Sequence, residues 1–127
     1  ARANRIPVVM VTGSGPDVII DVERFDLEPD LPLLSGNLRQ EVVDGIKAGP
    51  KSFEEKIKLA MDFMGAESLH PRLVSSFALV GKSLAGIPQI AESSFLRGGS
   101  IAYFVRQIAQ GERIKSGRYN LKLSDVR

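Results

Sequence analysis

The chain has 127 residues with no cysteine, 25% charged residues and a net charge of +2. A chain of this length and composition is expected to form a single domain over residues 1–127, with a core that needs no disulfide or metal. The missing cysteines exclude disulfides and thiolate nucleophiles, and the short apolar runs predict no membrane helix and no signal peptide, which favours a cytoplasmic protein or an assembled particle.

The chain opens with two segments rich in β-branched residues, 7–12 (PVVMVT) and 17–24 (DVIIDVER). Between them lies Gly-Ser-Gly-Pro, which contains the glycine and proline that turns favour, so the sequence predicts a hairpin. The next segment, 26–36 (DLEPDLPLLSG), has two prolines and no helical period. It is predicted to be a loop.

Helices are predicted in the middle of the chain from apolar spacing and start signals. The clearest start is Ser52 with Glu55, a complete S-x-x-E capping box, and Asn37 with Gln40 has the same spacing. The segment 89–95 (QIAESSF) is predicted to form only a short turn. The four predicted helices cover residues 37–49, 52–65, 71–86 and 100–111.

The tail, residues 117–126, alternates Tyr119, Leu121 and Leu123 with polar residues. Such alternation predicts a strand with one buried face. Placed beside the hairpin, it gives a small, mainly antiparallel sheet packed against about four helices, an α+β fold. The same placement would pair a basic tail with an acidic hairpin inside one chain.

Charge is unevenly distributed, because residues 17–30 are acidic and the last third of the chain is basic. If the two segments lie on different faces, they form complementary interfaces between neighbouring copies. The predicted acidic interface residues are Asp17, Asp21, Glu23, Asp26, Glu28 and Asp30. The basic residues, predicted to bind either a protein or a nucleic acid, are Arg106, Arg113, Lys115, Arg118, Lys122 and Arg127.

A glycine-rich stretch supplies a third hypothesis. The segment 11–15 (VTGSG) resembles the opening of short-chain dehydrogenase and other Rossmann glycine loops, and the resemblance implies a phosphate site at Gly13, Ser14 and Gly15. The fingerprint's third glycine is missing, and residues 18–22 are mostly β-branched, which favours a hairpin turn. In that interpretation Gly13 or Gly15 supplies positive φ rather than chemistry.

Catalytic signatures are missing from the sequence. There is no Gly-x-Ser-x-Gly elbow and no P-loop, and His70 is the only histidine, so we predict no catalytic residue, metal or cofactor. The leading hypothesis is a non-catalytic structural or assembly subunit, a homo-oligomer or part of a larger particle such as a viral or phage component. The alternatives are a nucleic-acid-binding module and a nucleotide- or small-ligand-binding enzyme subunit.

Overall fold

The computed structural model describes residues 1–126 and has the predicted α+β fold. Its antiparallel sheet has the order β1-β2-β3, so the hairpin is extended by the C-terminal strand. The strands are β1 (Val8–Ser14), β2 (Asp17–Glu23) and β3 (Gly117–Leu121). The α-helices are α1 (Gln40–Ala48), α2 (Phe53–Met64), α3 (Pro71–Phe77) and α4 (Ala91–Ala109).

The hairpin between β1 and β2 closes through a turn of two residues, Gly15 and Pro16. Ser14 pairs with Asp17, and Gly15 has a φ of 63°. Two-residue hairpin turns require positive φ at their first position, and glycine adopts it without steric cost. The hairpin prediction is therefore confirmed, and the residues after the glycines continue as a strand.

Strand β2 is the centre of the fold because helices cover both of its faces. On one face Val18, Ile20 and Val22 form a buried cluster with Phe104 of α4. On the opposite face Ile19 is buried against the side chains Met64, Leu73 and Phe77 of α2 and α3. The sheet thus lies between α4 on one side and α2 with α3 on the other. We call these two sides of the sheet the α4 face and the α2–α3 face.

Helix α2 begins where the capping box predicts. The Oγ of Ser52 accepts a hydrogen bond from the Glu55 backbone N–H at 3.1 Å. The Glu55 carboxylate accepts from the backbone N–H of Lys51, one residue earlier than the usual reciprocal bond. The predicted start at Asn37 is wrong, because α1 begins at Gln40 and the Asn37 side chain donates to the Leu34 carbonyl instead.

The third and fourth predicted helices have different limits in the structure. Helix α3 ends at Phe77 because its buried residues, Leu73 and Phe77, complete its contact with the sheet, and Leu79 beyond them is exposed. Helix α4 begins at Ala91, so the predicted turn over 89–95 is mostly helix. Ser100, where the fourth helix was predicted to begin, lies inside α4, and its Oγ donates to the carbonyl of Leu96.

Candidate functional site

An ion pair between the acidic hairpin and the basic tail lies inside the chain. The Arg118 guanidinium donates from Nε to Oδ1 of Asp21 at 2.8 Å and from Nη2 to Oδ2 at 3.0 Å. Both side chains are almost fully buried, with 8% and 3% exposure. The bidentate geometry is the strong form of an arginine–carboxylate contact. Asp21 and Arg118 therefore face each other rather than a partner.

Arg118 also joins β3 to α2. Its Nη1 donates to the carbonyl of Met64 at 2.7 Å, and its Nη2 donates to the carbonyl of Phe63 at 3.2 Å. These carbonyls belong to the last turn of α2, which has no intrahelical partners for them and carries the negative end of the helix dipole. One side chain thus connects three elements of the fold.

Asp26 forms a second ion pair, with Arg24 at the end of β2. The Arg24 Nη2 lies 2.7 Å from Oδ2 of Asp26. Hydrogen bonding to this guanidinium lowers the pKa of Asp26 below its ordinary value, and the same bond raises the pKa of Arg24. Arg24 Nη1 also donates to the carbonyls of Glu112 and Ile114, so the pair holds the connection between α4 and β3.

Three more of the predicted acidic residues accept hydrogen bonds within the chain. They are Asp17, Glu23 and Glu28. Asp17 accepts from the backbone N–H and the hydroxyl of Ser124. Glu23 is buried, whereas the sixth acidic residue, Asp30, is exposed. Of the six acidic residues, five thus have contacts inside the chain. The partners of Glu23 and Glu28 are the Leu34 backbone N–H at 2.7 Å and the Ser116 hydroxyl.

The basic residues in the described part of the chain differ in exposure. Arg118 is buried in its ion pair, whereas four others are exposed at the end of α4, in the following loop and after β3. Arg127 lies outside the described residues. The nucleic-acid-binding surface stays a prediction, and buried Arg118 is no longer one of its residues. The exposed four are Arg106, Arg113, Lys115 and Lys122.

The glycine-rich stretch has a packing role in the structure. Ser14 is fully buried, and its Oγ accepts from the backbone N–H of His70 at 2.8 Å. A Cβ on Gly15 would lie 2.8 Å from Cγ of the His70 ring. His70 itself caps α3 through Nδ1. Because a strand follows Gly13 and Gly15, the helix N-terminus that a Rossmann phosphate loop requires is not formed here.

An apolar groove lies between α4 and β3, and the sequence patterns did not predict it. The groove encloses about 730 Å³. Phe104 lies edge-on to Tyr103 and tilted against Tyr119, with ring centroids 5.4 Å apart in both pairs. The apolar side chains along it are Ile20, Phe95, Leu96, Tyr103, Phe104, Tyr119, Leu121 and Leu123. We call this set the α4–β3 groove.

Several of these side chains are open to solvent. Phe95 is 82% exposed, and Tyr103, Leu121 and Leu123 are each more than 40% exposed. On the other side of α4, Val105 is exposed as well. Helix α4 therefore carries apolar side chains on its buried and its solvent-facing sides, a pattern typical of a helix covered from more than one direction. A signal was available in the sequence, since Phe95 and Tyr103 are two helical turns apart.

Among residues 1–126, no group of three or more histidine, aspartate or glutamate side chains is placed to hold a metal ion. Among the same residues, no helix has the length and apolar content needed to cross a membrane.

The chain is similar to a much longer mycobacterial protein. Over 124 residues, 98% of this chain, it is 31% identical to the uncharacterized protein MT1398 of Mycobacterium tuberculosis (strain CDC 1551 / Oshkosh). The matching segment is only 17% of the length of that protein. No family model matches the chain. No solved structure matches it.

Proposed function

We propose that the chain acts by protein–protein contact, as a non-catalytic assembly subunit that binds further copies of itself, and that the α4–β3 groove is its contact surface. The observation that carries the proposal is the exposure of large apolar side chains along one groove, with Phe95 at its rim. Contiguous exposed apolar patches mark interaction surfaces in soluble proteins.

The composition of the groove also fits a protein partner. Aromatic residues are enriched at the centres of protein interfaces, and charged residues are depleted there. Tyr103 and Tyr119 combine a large apolar ring with a polar hydroxyl, and the Tyr119 hydroxyl donates to the Lys115 carbonyl. Exposed Arg106, with its Cζ 5.8 Å from the centre of the Tyr103 ring, supplies a polar rim.

The charged residues make a smaller contribution to this surface than their number in the sequence implies. Asp21 and Arg118 satisfy each other inside the chain, and Glu23 is buried with its own partner. An association that rests on apolar side chains persists at high salt, whereas one that rests on exposed charge weakens. Salt dependence therefore separates the apolar groove from the acidic and basic segments as the source of assembly.

Sedimentation velocity over a range of protein concentrations, at low and at high salt, tests this function. We expect concentration-dependent association that survives high salt. Phe95→Ser is expected to weaken it about tenfold, because removing an aromatic side chain from an interface commonly costs about 1–2 kcal/mol. Leu27→Ser is the matched control, since Leu27 is 63% exposed and does not line the groove.

Two results would contradict the proposal. The first is a monomer at about 1 mM, because association weaker than this corresponds to less than about 4 kcal/mol. The second is equal weakening by Phe95→Ser and Leu27→Ser, which would mean that exposed apolar residues in general, rather than the groove, cause the association.

A further inference from the structure

Strand β1 is an edge of the sheet with unpaired backbone groups. It pairs with β2 on one side and with no strand on the other, within the described residues. In an antiparallel pair, about half of the N–H and C=O groups of each strand point away from the partner. No other element in residues 1–126 donates or accepts a hydrogen bond at the backbone of Val8–Gly13.

The β1 edge has none of the features that protect natural edges. Proteins place charged residues, proline or bulges on exposed edge strands to prevent further pairing. The seven residues of β1, VVMVTGS, include no charge and no proline, and the register against β2 runs without a bulge. The opposite edge, β3, is shorter and includes Arg118, with Lys122 directly after it.

A cleft of about 250 Å³ lies beside the β1 edge. Thr12 and Gly13 of β1 form part of its wall, together with Met64 of α2 and Phe77 of α3 on one side of the sheet. Arg97 of α4 lines it from the other side. Helices of both layers and the connecting residues 87–90 therefore meet around Thr12 and Gly13, at one end of the β1 edge.

The side chains of β1 are apolar on both faces. Val9 and Val11 pack against the cluster beneath α4, and alternation places Val8 and Met10 toward α2 and α3. Continuous apolar strands are typical of sheets covered by helices on both sides, in which the strand is flanked by neighbours. All six residues Val8–Gly13 are only partly buried in this structure.

We infer that the free edge of β1 binds an extended, apolar polypeptide segment that adds a fourth strand to the sheet. The segment would belong to a larger polypeptide, as most of the mycobacterial protein lies outside the matching region. Its affinity would come from backbone hydrogen bonds and its selectivity from apolar side chains entering the cleft. This edge is separate from the α4–β3 groove, so either surface can fail its test without the other.

Hydrogen exchange with a model strand tests the inference. The probe is the capped peptide Lys-Lys-Val-Thr-Val-Ile-Thr-Val-Lys-Lys, in which lysines provide solubility. We expect outward-facing β1 amides to exchange about tenfold more slowly when the peptide is bound, as newly hydrogen-bonded amides do. The control peptide carries N-methyl groups on alternate residues of the apolar stretch and lacks those backbone donors. It is expected to give no protection.

Two variants each place a lysine on an edge strand of the sheet, at positions that pair with the same residue of the central strand β2. Thr12 pairs with Ile19, and Ile19 pairs with Asn120. Thr12→Lys puts an ammonium beside the cleft and is expected to abolish protection by the peptide. Asn120→Lys puts the same charge on the β3 edge and is expected to leave protection unchanged. Unchanged exchange in β2 shows that each variant is folded.

Several outcomes would overturn the inference. If the β1 amides of the unmodified protein exchange at the same rate with and without millimolar peptide, the inference is overturned, even if Thr12→Lys fails to fold. Equal protection by the N-methylated peptide would exclude strand pairing. Loss of protection in both lysine variants would remove the assignment to β1. Protection that arises without peptide, together with a doubled mass, would identify a second copy of the chain as the occupant.

Discussion

The two faces of the sheet are held in different ways. On the α2–α3 face, the buried pair of Asp21 and Arg118 connects β2, β3 and the end of α2. On the α4 face, the pair of Arg24 and Asp26 holds the connection after α4, Asp26 is partly exposed, and an apolar groove stays open beside Phe104. The buried charges Asp21 and Arg118 thus serve folding, whereas the apolar side chains of the α4–β3 groove stay exposed.

The largest effect is expected from Arg118→Met, which removes the polar contact of the α2–α3 face. The change leaves Asp21 buried without its partner and frees two carbonyls at the end of α2. Breaking a buried ion pair in this way costs about 3–5 kcal/mol. Chemical denaturation with urea measures the loss of unfolding free energy.

The control for that prediction is Lys122→Met, which removes an exposed positive charge next to the same strand. Its expected cost is within about 0.5 kcal/mol, as for most surface substitutions. The double variant Asp21→Leu with Arg118→Met is expected to recover much of the stability, because replacing both charges leaves neither one unpaired. Equal losses in Arg118→Met and Lys122→Met would show that the buried ion pair does not hold the α2–α3 face.

A smaller effect is expected from Gly15→Ala, at the turn that packs on the α2–α3 face. The added Cβ would lie 2.8 Å from the His70 ring, and the residue would keep a φ of 63°. A non-glycine residue in this conformation costs about 1–3 kcal/mol. Gly13→Ala is the matched control, because its Cβ would meet Arg97 and Ser93 atoms at 3.6 Å, an ordinary contact. Thermal unfolding of the two variants measures the difference.

The hairpin and α2 were predicted correctly because residues close together in the sequence determine them. The hairpin follows from β-branched residues on both sides of Gly15, and α2 follows from Ser52 and its hydrogen bond to Glu55. The limits of α3 and α4 were wrong because tertiary contacts decide them. Phe77 completes the buried side of α3, and the first turns of α4 lie where Ser93 is buried at the cleft.

The candidate surfaces were less predictable than the fold. Charge counts located the acidic and basic segments, but the pairing of Asp21 with Arg118 depends on the β2–β3 register, which brings together residues 97 positions apart. Phe95 falls in a segment predicted as a turn, so its two-turn spacing from Tyr103 was not used to predict an exposed apolar side of one helix. The free edge of β1 is likewise a property of the sheet order.

The smallest effect is expected at the polar contact of the α4 face and depends on pH. The hydrogen bond from Arg24 lowers the pKa of Asp26, so the folded state favours the carboxylate. Its stabilisation is complete above the ordinary carboxyl pKa of about 3.9 and is lost as the pH falls through the lowered folded value. Asp26→Asn should therefore cost about 1 kcal/mol or less at pH 7, since partly exposed pairs contribute little.

That cost should shrink toward zero as the pH falls below the ordinary carboxyl range, because the unsubstituted protein then loses the same contact. Urea unfolding of both proteins from neutral to acidic pH measures the difference. A cost that stays constant over this range would mean that the Asp26 charge does not hold Arg24 against the Glu112 and Ile114 carbonyls. The α4 face would then depend on apolar packing alone, and the contrast with the α2–α3 face would become sharper.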